Sequence, residues 1–303
     1  RDGACIRELL CGTAGRLALW STVVGRVDVD ADYLTDVLSD ASVDFIKKCS
    51  ENEDPFFLYV AYNAPHNPLQ ATQKYLDRFA HIEHWGRRNY AAMVSAVDDG
   101  VGQILQTLSD CGLDDDTLVF FLSDNGGASN NSSDNGVLRN HKGSLFEGGL
   151  RVPFALRWTD TIPAGTVYTH PIISLDIMAT ITALAGAEIA PERPLDGVNL
   201  LPFVTNKNKE APHDYLFWRK FDHKGVAVRS GDIKLVGDRR MKELGYAVFN
   251  VVEDVSEKVD LFEMDRGRNE KLLEQYAAWK AQLQPTAFPT LGKHKWLKKE
   301  ALE

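Results

Sequence analysis

Two short apolar runs place the strongest constraint on how this chain folds. Residues 55–62 read PFFLYVAY and residues 117–123 read TLVFFLS, and both are rich in residues that favour strands. A run this uniformly apolar is typical of a strand buried on both faces, as in parallel or mixed α/β sheets. Each run passes directly into polar residues, and ligands of open α/β sheets bind beyond the carboxyl ends of the strands.

Helical patterns surround these runs. Residues 32–49 repeat apolar side chains at near-helical spacing, and residues 87–112 form the clearest amphipathic helix, with Gly112 as its stop signal. Residues 153–158 predict a third buried strand, and residues 175–186 predict a short helix that ends in glycine. The alternation of strand and helix with short links predicts an α/β core with largely parallel pairing.

The character of the chain changes after residue 201. A polar, proline-containing linker leads to three short strand-like segments and a charged helix over about residues 268–283. The strand-like segments are residues 226–229, 234–236 and 246–252. This order predicts a small antiparallel sheet that carries one helix. We therefore divide the chain into an unassigned segment 1–30, an α/β domain 31–204 and an α+β subdomain 205–303.

Composition excludes several classes of protein. The chain has 303 residues, of which 44% are hydrophobic and 25% are charged, as in ordinary globular proteins. The formal net charge of −9 argues against a nucleic-acid-binding protein, which normally presents a basic face. An anionic substrate stays open, because a basic pocket can lie within an acidic protein. No apolar run is long enough to cross a bilayer. The four cysteines have no metal-type spacing and are too few to fix a compartment.

Three polar loops hold the residues that could carry chemistry. Asp124 and Asn125 end the second apolar run and offer two hard oxygen ligands suited to Ca²⁺ or Mg²⁺. Asp-Asn-Gly is also ordinary turn chemistry, and it recurs at residues 134–136. His66 lies between two prolines, where it either acts as a general acid or base or only caps the loop. Lys142 lies among glycines and is either a ligand for an anion or a solvated loop lysine.

Many segments of the chain together resemble one known family. They read YLTDVLSDASVDFIKKCSENEDPFFLYVAYNAPHNPLQ, YAAMVSAVDDGVGQILQTL, TLVFFLSDNGG and LRNHKGSLFEGGLRVPFALRW, then SLDIMATITALAG, LDGVNLLPF and GVAVRSGDIKLV. In order and spacing they resemble the formylglycine-dependent sulfatases of the alkaline-phosphatase superfamily, over about residues 30–279. The likeness is nearest to the arylsulfatases and polysaccharide sulfatases. It implies an alkaline-phosphatase-like mixed α/β sheet flanked by helices, here incomplete, with the small C-terminal subdomain.

The resemblance implies a role for each of these loop residues. Asp124 and Asn125 fall where the family binds Ca²⁺, so the first Asp-Asn-Gly is the predicted site and the second lies out in the loop. Lys142 falls where a lysine holds the substrate sulfate. His66 falls where a histidine contacts the sulfate ester and can protonate the leaving oxygen.

Two residues beside the lysine are candidates for further substrate contacts. Arg139 and His141 flank Lys142 and either contact the sugar or aryl group or are exposed loop residues. The partner implied by the resemblance is a sulfated small molecule or polysaccharide, with no nucleic acid and no membrane span. The family also suggests an exported protein, whether periplasmic, extracellular or lysosomal.

The nucleophile motif of the family does not occur in the sequence. That motif is C/S-x-P-x-R, whereas Cys11 begins CGTAGR, which lacks the proline and has its arginine one residue late. The early paired aspartates and the G-K-W-H segment are also absent. We therefore expect the latter part of a sulfatase, inactive alone, whose complete enzyme hydrolyses a sulfated carbohydrate or aryl sulfate. The alternatives are a non-catalytic sulfatase-like module and a phosphodiesterase or phosphonate hydrolase of the same superfamily.

Overall fold

The structure, a computed structural model, describes residues 33–52, 54–220, 225–238 and 245–284. The predicted segment 1–30 therefore lies outside the described residues. The helices are α1 (Leu34–Ser50), α2 (Gln73–Leu76), α3 (Trp85–Asp110), α4 (Glu147–Leu150), α5 (Leu175–Leu184), α6 (Leu201–Val204) and α7 (Arg266–Gln282), with 3₁₀ turns at Asp77–Phe79 and Phe262–Met264. The strands are β1 (Val119–Leu122), β2 (Phe154–Arg157), β3 (Leu216–Lys220), β4 (Gly225–Ser230), β5 (Ile233–Asp238) and β6 (Tyr246–Asn250). The four helices predicted from the sequence are confirmed as α1, α3, α5 and α7.

Small side chains line the contact between α1 and α3. A Cβ at Gly100 of α3 would overlap the Oγ of Ser39 on α1, so glycine permits this close approach. On α3, Ala92 and Ala96 are fully buried, whereas Val94 is 42% exposed. The apolar periodicity thus predicted the helix correctly, and its buried face holds small residues as well as some of the apolar residues that form this periodicity.

Residues 55–62, which were predicted to form a buried strand, are not a strand in the described structure. Tyr59 in this run is 77% exposed. Phe56 instead packs edge-on against Phe45 of α1, with ring centroids 5.9 Å apart. A strand exists only where a neighbouring backbone pairs with it, and no described strand pairs with these residues. In this run, an apolar side chain packs against a helix, and the residues do not pair as a strand.

β1 and β2 form an antiparallel pair in which Val119 lies opposite Arg157 and Leu122 lies opposite Phe154. Both strands were predicted, but the expected parallel pairing is wrong for this pair. The chain between them is a long loop with the single turn of α4 rather than a crossover helix, so it returns antiparallel. Ser123 N–H then donates to Pro153 O at 3.2 Å, and the loop projects from this end of the pair.

The C-terminal part forms a four-stranded antiparallel sheet in the order β3-β4-β5-β6, with α7 packed on one face. Val228, Leu235 and Val248 are fully buried in one cluster with Leu272 and Tyr276 of α7. The predicted antiparallel sheet with one helix is confirmed. β3 was missed, although the apolar residues 215–218 that follow the polar linker were a signal for it. The proposed domain boundaries stay a prediction.

The opposite face of this sheet packs on the loop between β1 and β2. Phe146 of that loop lies in one buried cluster with Ala227, Val236 and Phe249 of the sheet. The rings of Phe146 and Phe249 have centroids 6.0 Å apart. This loop therefore packs on one face of the C-terminal sheet. None of the described helices has the length and apolarity that a bilayer crossing needs.

Candidate active site

Backbone hydrogen bonds hold the Lys142 segment beside the first Asp-Asn-Gly. Lys142 N–H donates to Gly127 O at 3.0 Å. The neighbouring Gly126 lies so close to the segment that a Cβ there would overlap Gly148 O. Glycine is therefore required at Gly126 for this close approach. The structure thus brings together the backbones of two of the three loops that the sequence singled out.

The second Asp-Asn-Gly braces the same loop. Asn135 Oδ1 accepts from Gly127 N–H at 2.8 Å, and its Nδ2 donates to Gly127 O at 3.1 Å and to Asn140 O at 3.0 Å. Asp134 only closes an exposed turn, where its Oδ1 accepts from Gly136 N–H at 2.8 Å. The asparagine of this copy therefore ties the backbone beside the candidate metal ligands to the backbone just before the candidate sulfate-binding lysine. Sequence reasoning missed this role.

Asp124 and Asn125 have oxygen atoms available for a ligand. Asp124 is exposed, and its carboxylate has no hydrogen-bond or ion-pair partner in the described part of the chain. Asn125 Nδ2 donates to Gly126 O at 3.2 Å, and Ser123 Oγ donates to Asn125 O at 2.8 Å. These contacts leave Asn125 Oδ1 without a partner among the described residues.

The two oxygens fit Ca²⁺ in kind but not in number. Ca²⁺ takes about six to eight hard oxygen ligands in proteins. Within the residues that the structure describes, no group of three or more His, Cys, Asp or Glu side chains could hold a metal ion. The Ca²⁺ site at Asp124 and Asn125 therefore stays a prediction.

Lys142 is half-buried, and its ammonium has no partner in the described parts of the chain. The adjacent Gly143 adopts a φ of +79°, a left-handed conformation that favours glycine. Lys220 of β3 donates to Gly143 O, which brings a second ammonium to this turn. An ammonium without a carboxylate partner is favourable for an anionic ligand.

His66 projects from a loop whose two X-Pro peptide bonds are both cis. His66 Nδ1 lies 2.8 Å from Asn67 O. Because a carbonyl oxygen only accepts, Nδ1 carries the proton, and Nε2 is the nitrogen that can take up or release one. Asn67 Nδ2 reaches Asn130 O at 3.4 Å, which links the His66 loop to the loop after the first Asp-Asn-Gly.

Arg139 and His141 make contacts within the protein. The guanidinium of Arg139 lies 4.0 Å from the ring centroid of Phe146, and its Nη1 donates to Glu257 O at 2.6 Å. His141 is exposed, and its Nδ1 donates to Lys142 O at 3.0 Å. The geometry gives Arg139 a structural contact with the C-terminal part. The predicted contacts of both residues with a substrate stay predictions.

A buried ionic cluster beneath the Lys142 segment was missed entirely. Lys234 Nζ lies 2.8 Å from Glu147 Oε1 and 3.0 Å from Glu257 Oε1, and the three side chains are at most 3% exposed. Glu257 Oε2 accepts from Glu147 N–H at 2.7 Å, at the first residue of α4. Burial raises the pKa of Glu257, although the nearby Lys234 ammonium acts to lower it. The only signal in the sequence was a glutamate directly after the apolar Leu145 and Phe146.

The fold defines the chain as an α/β protein with alkaline-phosphatase-like architecture, as the sequence predicted. The crystal structure of Ps i-CgsB in complex with k-i-k-neocarrahexaose superposes with a TM-score of 0.82 at 33% sequence identity, over 93% of this chain and 63% of that one. The structure of BT4656 in complex with its substrate D-glucosamine-2-N,6-O-disulfate has a TM-score of 0.65 at 18% identity, over 86% of this chain and 70% of that one. At that identity, the second likeness concerns the fold alone.

A family model described as Sulfatase matches residues 7–187, which is more than half of the chain, and the chain belongs to the sulfatase family. The match begins before residue 30, where the resemblance seen in the sequence began. Steryl-sulfatase of Homo sapiens is 33% identical over 61% of this chain and 32% of its own length. N-acetylgalactosamine-6-sulfatase of Canis lupus familiaris is 38% identical over 56% of this chain and 32% of its own length. The matches thus span about a third of these relatives.

Proposed function

We propose that the complete protein hydrolyses the sulfate ester of a sulfated carbohydrate. The observation that carries this proposal is Lys142, whose ammonium has no partner among the described residues and whose backbone N–H donates to Gly127 O, three residues after Asp124, in a chain of the sulfatase family. A sulfate ester carries a negative charge, which would be the counter-charge that the Lys142 ammonium does not have among the described residues. Its oxygens also accept the charge-assisted hydrogen bonds that an ammonium donates.

In this proposal His66 protonates the leaving oxygen. The hydrogen bond from Nδ1 to Asn67 O fixes the ring, so the proton that moves is the one on Nε2. A proton delivered at this atom matters most when the leaving group is an alkoxide of a sugar, which is a poor leaving group without it.

We propose that Asp124 and Asn125 contribute two oxygen ligands to one Ca²⁺ ion. When bound, this ion would stabilise negative charge on the sulfate oxygens. Two ligands are fewer than Ca²⁺ takes, so we expect the others from further residues of the complete protein.

The relatives leave the substrate class open, and two of them favour a carbohydrate. The names of the relatives concern a steryl ester, an N-acetylgalactosamine 6-sulfate and a complex with neocarrahexaose. The likeness to Ps i-CgsB in complex with that carbohydrate covers 93% of this chain. Phosphonate monoester hydrolase of Agrobacterium radiobacter, at 21% identity and a TM-score of 0.59, shares the fold only.

The test is an assay of the protein expressed from its complete reading frame, with Ca²⁺, on an aryl sulfate and on a sulfated oligosaccharide. Lys142→Ala should lower kcat/KM on both substrates by about 100-fold or more, because it removes a donor to the reacting group. His66→Ala should lower it further on the oligosaccharide than on the aryl sulfate. Lys209→Ala, a change in the exposed linker, is the matched control and should leave both rates at the wild-type level.

Three results would contradict the proposal. Wild-type turnover by Lys142→Ala would show that this lysine does not hold the reacting group. Faster hydrolysis of a phosphonate monoester than of any sulfate ester would indicate a phosphonate hydrolase with the same fold. Binding of sulfated sugars without hydrolysis of any ester would identify a non-catalytic module.

A further inference from the structure

An open pocket of about 490 Å³ lies beside the His66 loop. It lies between that loop, the start of α3 and the loop around residues 130–132. Its lining includes Asn67, His84, Trp85, Asn130 and Ser132, and we call it the Trp85 pocket. Asn67 directly follows the proposed proton donor, so the pocket adjoins the candidate site along the chain.

The walls of the Trp85 pocket are held in place by specific contacts. A Cβ at Gly86 would overlap Ser132 Oγ, so the start of α3 and the facing loop touch directly. Arg87 Nη1 donates to Ser132 O at 3.0 Å, and Ser133 Oγ donates to Ala128 O at 2.7 Å. The first bond joins the loop to the helix and the second braces the loop internally, so the pocket exists before any ligand binds. A preformed pocket reduces the ordering cost of binding.

Trp85 supplies a large flat surface to this pocket. It is the first residue of α3, and its side chain is 68% exposed, far from the buried position that an indole usually takes. An exposed indole next to polar side chains offers an apolar face for carbon-bound hydrogens and leaves the surrounding groups for hydrogen bonds. The faces and edges of a pyranose ring have this same combination of apolar and polar groups.

The amides of the pocket complement sugar hydroxyls. Asn67 Nδ2 donates to Asn130 O at 3.4 Å, and Asn67 Oδ1 and Asn130 Nδ2 have no partner within the described residues. One acceptor and one donor are thus available side by side, and a hydroxyl group can satisfy either of them. A sterol would be bound better by an enclosed, mostly apolar cavity. The open shape, with an exposed indole and two amides in its lining, therefore favours a saccharide.

We propose that the Trp85 pocket binds a sugar residue of the substrate, next to the residue whose sulfate reaches Lys142. The inference rests on the proposed function, and it deepens it by naming a sulfated oligosaccharide as the substrate rather than a small aryl or steryl sulfate. Trp85 stacks on the sugar ring, and Asn67 and Asn130 bind its hydroxyls.

The test is a calorimetric titration of the protein with neocarrahexaose and, separately, with inorganic sulfate. Trp85→Ala should weaken binding of the hexasaccharide about tenfold, because it removes one stacking contact and the area buried by that contact. Trp85→Phe should recover most of the lost affinity, because an aromatic face remains. Tyr59→Ala is the control, since Tyr59 is 77% exposed and does not line the pocket. Asn130→Ala is a second variant that should also weaken hexasaccharide binding.

The outcomes separate this inference from the proposed function. If Trp85→Ala weakens the hexasaccharide no more than Tyr59→Ala does, or weakens inorganic sulfate equally, the pocket is not a sugar subsite. If the wild-type protein hydrolyses no sulfate ester and yet binds the hexasaccharide through Trp85, the proposed function fails and the subsite stands. If the protein hydrolyses sulfate esters and Trp85→Ala lowers kcat/KM equally on aryl sulfate and hexasaccharide, the proposed function stands and the subsite is overturned.

Discussion

Lys142 and Lys234 have opposite environments on the two sides of one loop. Lys142 is half-buried, and its ammonium has no partner among the residues described. Lys234 is 1% exposed and lies between the carboxylates of Glu147 and Glu257. Removing an ammonium from water costs several kcal/mol unless opposite charges surround it. The buried lysine therefore requires its two carboxylates, whereas Lys142, which is in contact with solvent, requires none.

One short segment joins the two lysines. Lys142 and Glu147 both belong to KGSLFEGG, so the same loop presents a cation to solvent and a carboxylate to the interior. Glu147 is held by Lys234 of β5 and, through its N–H, by Glu257. The difference between the lysines shows that the C-terminal sheet supports the candidate site through buried charges, with the Phe146 cluster beside them.

The largest expected effect comes from removing the buried cation. Lys234→Met should lower the free energy of unfolding by about 3–5 kcal/mol, because it leaves two buried carboxylates without their ammonium. Lys142→Met makes the same chemical change where no partner is lost, so it should alter the free energy of unfolding by only about 0.5 kcal/mol. Urea unfolding of both variants beside the wild type measures the contrast. Equal losses of unfolding free energy in the two variants would show that Lys234 does not depend on its buried partners more than Lys142 depends on solvent.

The second prediction sharpens the same contrast within the exposed loop. Asn135→Ala removes three hydrogen bonds to the backbone of Gly127 and Asn140, and we expect it to cost about 1–3 kcal/mol. Asp134→Ala removes one bond in an exposed turn and should cost about 0.5 kcal/mol. Hydrogen exchange at the amides of Gly127 and Lys142 should become faster in Asn135→Ala alone. Unchanged exchange at both amides would show that Asn135 does not brace the loop.

The third prediction concerns the pH dependence of the buried cluster. Burial raises the pKa of Glu257 above its unfolded value of about 4.3. Its contribution to stability is therefore fully present below that pH and is lost as the pH rises through the higher folded pKa. Between pH 4 and 7 the wild type should lose unfolding free energy relative to Glu257→Gln. A difference that grows in favour of the wild type over this range would mean that Lys234 outweighs burial.

The smallest effect belongs to an exposed pair with the opposite pH dependence. Arg78 makes two hydrogen bonds of 2.7 Å to Asp99, and they lower the pKa of this aspartate. The contribution of Asp99 is present above its unfolded pKa of about 3.9 and is lost as the pH falls through the lower folded pKa. The advantage of the wild type over Arg78→Ala should shrink in acid and in 1 M salt, which screens exposed charges. If the stability advantage of the wild type persists in acid and in 1 M salt, this pair is not an exposed, screened ion pair.

Much of the fold could be read from local patterns. The helices α1 and α3 repeat apolar side chains at near-helical spacing, and the strands β4 to β6 contain short apolar runs. Both signals are local properties of the sequence. The pairing of β1 with β2 and the exposure of Tyr59 were not readable. They depend on which backbone lies alongside, and residues far away in the sequence decide that.

The candidate site divides in the same way. The sequence by itself predicted that Asp124, Asn125, His66 and Lys142 lie in loops, because polar residues among glycines or prolines mark loops. Only the tertiary structure decided how that site is supported, through Asn135 across its own loop and through contacts that join residues as distant as Glu147 and Glu257. Hydrogen bonds and ion pairs act over a few ångströms in space whatever the separation along the chain, and burial makes a lysine such as Lys234 depend on partners that no local pattern reveals.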